Sequence, residues 1–279
     1  MPELPDIVVL ARSMDKALPS KRIAEVTVNQ PKCINLDPQG YRRTLVGGRV
    51  RRVWQRGKLA ILDLDNGWSL LFSLGMGGQV GLHGPEENPD PDRERVAFRF
   101  EDGSQLWVHF WWFGNVHALP TAQLETDRRL ARLGVEPLDE GFTVQRLEEM
   151  LRRRRGRIKG YLLDQSFIAG IGNVYVQDIL WHAGLHPLTP ANTLTQAEVA
   201  RLHGAIRHVL QEGIRWGGSY REYDVWGNEG RYGEHLQVGY RTGEPCPACG
   251  TLVEEVRVGQ TTSYICARCQ PFRSKDTTR

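Results

Sequence analysis

Hydrophobic and polar positions change period about halfway along the chain. Up to about residue 120 the pattern is that of strands: Ile23 to Val28 and Val50 to Trp54 are rich in β-branched residues. Leu59 to Leu64, Asn66-Gly67 and Trp68 to Leu74 read as a hairpin, with Asn-Gly suited to a type I′ turn. Val96 to Phe100, Asp102-Gly103 and Leu106 to Phe110 repeat the device. An antiparallel sheet domain follows from these runs. Ahead of it, Ile7, Leu10, Ala11, Met14 and Leu18 recur at helical spacing, with Pro5 where a helix begins. Beyond residue 134 the spacing is helical over Thr143–Arg155, Asp164–Ala183 and Thr195–Ile214, the last opened by the capping box Thr195-x-x-Glu198. A boundary is expected near Leu133-Gly134-Val135-Glu136-Pro137, and short strands bearing cysteines close the chain. GPEENPDPD, residues 84–92, is a loop by composition.

Composition narrows the class. A chain of 279 residues, 40% hydrophobic and 25% charged, can bury a core and is neither collagenous nor disordered throughout. It has no apolar run of about 18 residues and no basic-then-apolar leader, so the expectation is a cytoplasmic protein without membrane attachment. In a reducing compartment the five cysteines suggest metal rather than disulfides. Cys246-Pro-Ala-Cys249, followed after sixteen residues by Cys266-Ala-Arg-Cys269, supplies two thiolate pairs from tight turns, the closed S4 shell of one structural Zn2+. Cys33 is left over as a small hydrophobe.

The net charge of +3 does not announce a polyanion partner, so any such site must be local. Leu151 to Gly160, LRRRRGRIKG, carries six positive charges and no acid; it reads equally as a solvated helix end or as a phosphate-contacting patch.

Three separated segments carry a resemblance. Met1-Pro2-Glu3-Leu4-Pro5-Asp6, the central Ile168-Ala169-Gly170-Ile171-Gly172-Asn173-Val174-Tyr175 with Ala183-Gly184-Leu185-His186-Pro187, and the four-cysteine hairpin after Gly243-Glu244-Pro245 resemble, in order and spacing, the formamidopyrimidine-DNA glycosylase and endonuclease VIII family. The resemblance implies an α+β multi-domain fold: an N-terminal antiparallel β-sandwich with a leading helix (1–133), a helix-two-turn-helix domain (134–240) and a zinc finger (241–271), with a tail at 272–279. It also implies a monomer that grips damaged double-stranded DNA in a cleft and associates with the nucleoid through it.

The start of the chain has a chemistry of its own. Removal of Met1 exposes a secondary α-amine at Pro2, and α-amines titrate near about 7.7–8.0, so part of it is a free nucleophile at neutral pH. Attack on a sugar C1′ gives an iminium that acidifies the C2′ proton and leads to strand cleavage. Glu3 is placed to protonate the ring oxygen. The plainer reading, a helix start at Pro-Glu-Leu-Pro, is displaced by the other two segments.

Further roles are implied by the resemblance alone. Lys58, in Gln55-Arg56-Gly57-Lys58, matches the lysine that contacts phosphate beside the lesion, and it joins Pro2 and Glu3 as the catalytic set. Asn173 and Lys159 match phosphate-binding positions. Met76 matches the side chain that fills the gap left by a flipped nucleotide, and Phe113 the wedge, although core packing would also explain both. Tyr220 to Gly233 lies where a lesion-capping loop is expected; a disordered connector fits its composition as well.

Four positions depart from the family pattern. Phe110-Trp111-Trp112-Phe113-Gly114 puts Trp112 where an arginine faces the orphaned base, so discrimination of the opposite base should be weak. Thr261 replaces the zinc-finger arginine, Ser73 the histidine before Leu-Gly-Met, and Asp6 the commoner glutamate. The expected function is a bifunctional DNA glycosylase with abasic-site lyase activity in base excision repair of oxidised or ring-opened bases. The alternatives are a catalytically silent, damage- or structure-specific DNA-binding paralogue, and an RNA-binding zinc-ribbon protein, against which the central helical match argues.

Overall fold

A computed structural model describes residues 1–87, 90 and 92–272. The expected loop at 84–92 lies only partly within these residues, and the tail beyond Phe272 lies outside them. The chain forms two compact units, residues 1–132 with 214–231, and residues 133–213 with 232–279. The segment 214–231 thus groups with the N-terminal sheets, and the cysteine hairpin with the central helices.

In the first unit, α1 (Leu4–Ala17) precedes β1 (Ile23–Val28), α2 (Pro38–Leu45) and β2 (Val50–Arg56). β3 (Leu59–Leu64), β4 (Trp68–Ser73), β5 (Gln79–His83), β6 (Val96–Phe100), β7 (Gln105–His109) and β8 (Asn115–Pro120) follow, then α3 (Arg128–Ala131). They form two four-stranded sheets, β1-β6-β7-β5 and β2-β3-β4-β8, with every adjacent pair antiparallel. Alternation along the strands sends Val26, Phe98, Leu106 and Val108 from one sheet, and Val53, Leu62, Leu70 and Phe72 from the other, into a single core. Phe72 and Phe98 meet edge to face at 6.5 Å, and Tyr41 of α2 donates its hydroxyl to the Val116 carbonyl from the same core. The expected sandwich with a leading helix is present.

The hairpin turns differ from the type I′ expectation. Only Gly67 and Gly103 have positive φ (both 84°), so Asn66 and Asp102 are right-handed or extended. Asn66 instead accepts a hydrogen bond from the Trp68 N–H at 3.2 Å, which makes three-residue turns with glycine in the left-handed position. Helix α2 escaped the periodicity reading because it is short, yet its start was legible: Asp37 caps Gly40 N–H at 2.8 Å and Pro38 occupies the first turn.

The second unit contains α4 (Val144–Leu151), α5 (Ile158–Leu163), α6 (Tyr175–Ala183), most of α7 (Gln196–Arg215) and the hairpin of β9 (Glu254–Val258) and β10 (Thr261–Ile265). Two helices are shorter than their periodicity suggested. The Thr143–Arg155 run stops at Leu151, so Arg152 to Arg155 lie beyond the helix. Asp164–Ala183 is not one helix: Asp164 caps Ser166, Gly170 takes φ 93°, and α6 starts only at Tyr175. Buried Asp178 on α6 is a hub that no sequence pattern disclosed. It accepts from the Tyr232 hydroxyl and from the backbone N–H groups of Gln237, Val238 and Gly239, at 2.9–3.2 Å. Those bonds pin the segment leading to the cysteines. Among the described residues no helix is long and apolar enough to cross a membrane.

Candidate active site and nucleic-acid contacts

The first three residues are held by the helix they begin. Glu3 is the N-cap of α1 and Asp6 its third residue; each side chain reaches the other's backbone, with Glu3 N–H donating to Asp6 Oδ2 at 2.7 Å. Pro2, Glu3 and Asp6 are all buried. The second carboxylate oxygen of Asp6 accepts from the Ser219 N–H at 2.7 Å, so residue 219 closes over the helix start. Between β2 and β3, Gly57 turns the chain at φ 54° and delivers Lys58 into the field of Glu3 and Asp6. Burial pulls the Lys58 ammonium below its usual pKa, while the two carboxylates oppose that fall. Pro2, Glu3 and Lys58 therefore converge, although Lys58 is 55 residues distant in sequence from Glu3.

The site also contains residues that the sequence did not disclose. The segment after Gly218 is ordered: Asp224 Oδ1 caps Trp226 and Asn228, Val225 is buried in the sheet core, and its N–H donates to Ser13 Oγ. Val225 also accepts from the Leu82 N–H, extending the β5 edge. The connector reading of Tyr220–Gly233 does not fit this packing. Glu222, at the head of the segment, lies in the field of Asp6, the Met1 α-amine and Glu3; burial first and Asp6 second push its carboxyl up to about 8.

The proposed wedge residues share one exposed surface. Met76 N–H donates to the Trp112 carbonyl at 3.1 Å, lacing the Leu74-Gly75-Met76 turn to Trp112-Phe113-Gly114. Gly75 is obligatory there: its φ is 60°, and a Cβ would lie 2.0 Å from the Trp112 oxygen. Met76 is 46% exposed, Trp111 63%, Trp112 65% and Phe113 82%, so core packing does not explain them. Four adjacent exposed apolar side chains mark a binding surface. Trp111 belongs to this surface and was missed, though the Phe-Trp-Trp-Phe run signalled it.

In the second unit the phosphate candidates fall into two groups. Arg152 to Arg155 are exposed, as a contact patch requires. Lys159 is not: it is fully buried, and its Nζ donates to the Thr262 carbonyl at 2.8 Å. Burial lowers its pKa to about 8. A direct phosphate contact by Lys159 does not fit that placement; it anchors the β9–β10 hairpin to α5. Gln177 adds a second link, donating to the Asn173 carbonyl and side-chain oxygens and to Thr262, and accepting from Tyr264 N–H. Asn173 at the start of α6 and Thr261 at the start of β10 are thereby fixed in one neighbourhood. Thr261 Oγ1 itself donates to the Val258 carbonyl.

The four cysteines converge. Their sulfurs lie within 4.8 Å of one another, with separations of 3.4 Å for Cys249–Cys266, 3.5 Å for Cys249–Cys269 and 3.8 Å for Cys246–Cys269. A tetrahedral Zn2+ at about 2.3 Å from each sulfur needs sulfurs about 3.8 Å apart, so the residues fit the ion. Trp181 Nε1 points at Cys246 Sγ from 3.4 Å and orients it. Four sulfur ligands leave no open position, so this metal holds structure.

Comparison with known proteins agrees with this geometry. The formamidopyrimidine-DNA glycosylase N-terminal domain matches residues 1–110, its H2TH domain residues 133–224, and the zinc finger found in FPG and IleRS residues 243–271. The formamidopyrimidine-DNA glycosylase of Pelotomaculum thermopropionicum is 39% identical over 277 residues, covering 98% of this chain and all of the relative. The chain belongs to the formamidopyrimidine-DNA glycosylase family. A second relative, from Chloroflexus aggregans, is 40% identical, covering 97% of this chain and 98% of its own length. Among solved structures, Lactococcus lactis Fpg in complex with DNA containing N7-benzyl-Fapy-dG superposes with a TM-score of 0.90 at 29% identity, covering 97% of this chain and all of that one. The same enzyme with abasic-site DNA gives 0.90 at 28%.

Proposed function

We propose that this DNA glycosylase and abasic-site lyase of base excision repair works through the Pro2 amine as nucleophile and Glu3 as acid, on oxidised or ring-opened bases in duplex DNA. The observation that carries the reading is the buried helix start, where Pro2, Glu3 and Lys58 converge. Met1 removal places the amine at Pro2. The amine forms a bond to C1′ as the base leaves, and Glu3, fixed by its capping bonds, protonates the ring oxygen as the sugar opens. Lys58, held near two carboxylates, supplies positive charge for a phosphate beside the lesion. Met76 and Phe113 occupy the space of the extruded nucleotide, and Asn173 with the exposed arginines binds backbone phosphates. We place the enzyme in the cytoplasm at the nucleoid, acting as a monomer. Retention of the proline, acid and lysine together disfavours a silent paralogue.

The surface facing the opposite strand distinguishes this chain. Trp112 offers a π face without the fork of donors that an arginine would present to cytosine. Excision of one lesion placed opposite each of the four bases is therefore expected to vary by less than about tenfold, against the hundredfold or so that a bidentate contact can supply. A sharp cytosine preference in single-turnover assays would refute the assignment.

The zinc site is proposed to hold the hairpin that carries Thr261. Stripping the ion with a strong chelator should unfold the hairpin and weaken duplex binding at least about tenfold. Unchanged affinity in a sample shown to be metal-free by atomic absorption would exclude that role.

A further inference from the structure

We infer that Glu222 is a proton-transfer group of the excision step, carried into the active site by the segment that follows α7 and serving the departing base; the inference rests on the Pro2 nucleophile proposed above. The placement is built by backbone contacts. Gly218, at φ 98°, approaches Asp6 so closely that a Cβ would lie 2.9 Å from its Oδ1. The next N–H, of Ser219, donates to that oxygen at 2.7 Å. Glu222 N–H closes the turn onto the Ser219 carbonyl at 3.2 Å, and Gly230 N–H donates to the Glu222 carbonyl at 2.8 Å. A Cβ on Gly230 would come within 2.4 Å of Gly218, so the two ends of the segment are locked together. This turn fixes Glu222 above the start of α1.

The groups facing Glu222 are named by its electrostatics. From the start of α1 come Asp6 and its N-cap Glu3, and beside them the Met1 α-amine, one residue from Pro2. Lys58, on the β2–β3 turn, faces the same two carboxylates. On its own segment, Glu229 is turned to the Arg221 N–H, at 2.8 Å. Burial and the two acids hold the Glu222 proton on, while the amine draws it off. The result is a carboxyl titrating at about 8, protonated at neutral pH and so able to donate.

The step balances. The unprotonated fraction of the Pro2 amine forms the N–C1′ bond with its lone pair. The C1′–N glycosidic bond breaks with its electron pair going to the base, and the Glu222 carboxyl gives its proton to the base nitrogen. The aminium now on Pro2 passes its proton to the Glu222 carboxylate, which is an acid again. A preformed abasic site has no base to protonate, so its cleavage does not need this donation.

That difference supplies the test. Glu222→Gln keeps size and polarity but cannot exchange the proton. It is expected to slow single-turnover excision of a formamidopyrimidine lesion about a hundredfold, to remove a pH limb near 8, and to leave cleavage of preformed abasic-site duplex within about threefold of wild type. Glu222→Asp, which keeps the acid, should restore part of the excision rate and the limb. Excision by the Gln variant within about threefold of wild type overturns the inference. So does a parallel fall in excision and abasic-site cleavage, which would mean a merely structural role. Borohydride trapping of the same variant on abasic DNA keeps the two proposals apart: an intact adduct with unaltered excision removes Glu222 alone, whereas loss of trapping in the wild-type protein removes the Pro2 reading.

Discussion

Glu3→Gln is expected to lower base excision by about a thousandfold, equivalent to about 4 kcal/mol of transition-state stabilisation, while leaving the fold intact. The expectation comes from the double duty of this side chain. As the N-cap of α1 it accepts from the backbone, which a glutamine carbonyl also does, so the helix start should persist. As an acid it gives a proton to the opening sugar, which an amide cannot. Single-turnover excision, followed beside thermal unfolding, separates the two roles. A large fall in melting temperature accompanying the lost activity would point to structure rather than chemistry. Abasic-site trapping should survive, because an abasic sugar already samples its ring-opened aldehyde.

Pro2→Gly addresses the nucleophile itself and should cut the yield of borohydride-trapped complex about a hundredfold. Glycine still carries an α-amine once Met1 is removed. It loses the pyrrolidine ring that packs into the buried start of the chain and fixes the amine's direction, and a displacement of about 1 Å at a reacting centre costs on the order of a hundredfold. The measurement is adduct formation on abasic duplex, with the N-terminal residue of both proteins verified by mass spectrometry. Trapping at the wild-type level would contradict the requirement for the pyrrolidine ring.

Some of this site was legible before any coordinates because its signals are local. The Pro2-Glu3 pair, the two C-x2-C turns and the Gly-Met and Phe-Gly turns each place their chemistry within a few residues. The sandwich was legible for the same reason, through alternation and turn glycines. What stayed hidden depends on distant partners. Lys159 reads as one more charge in a basic run, yet the carbonyl that buries it belongs to Thr262, 103 residues further on. Asp178 looks like an ordinary helical acid until the backbone of 237–239 wraps around it. Glu222 belongs to a loop whose composition fits a disordered connector; only the Asp6–Ser219 bond reveals its neighbours. Asp6 itself was noted as a departure from glutamate. Its oxygens accept from Glu3 N–H and Ser219 N–H, which joins the helix start to the segment that follows α7.

The exposed aromatic surface illustrates a different limit. Sequence placed Met76 and Phe113 through resemblance with core packing as the alternative, and their exposure removes that alternative. Large apolar side chains left in solvent forgo the stabilisation of burial, and a contiguous exposed group of them is the mark of a contact surface.

The α-amine of Pro2 is proposed to form the covalent bond to DNA. Its most direct test is to trap wild-type protein on abasic-site duplex with borohydride, digest the complex, and sequence the modified peptide by mass spectrometry. The expected result is the sugar remnant on the nitrogen of a peptide beginning at Pro2, with Lys58 unmodified. A remnant on Lys58 or any other side chain, or no adduct from protein shown to lack Met1, would contradict it.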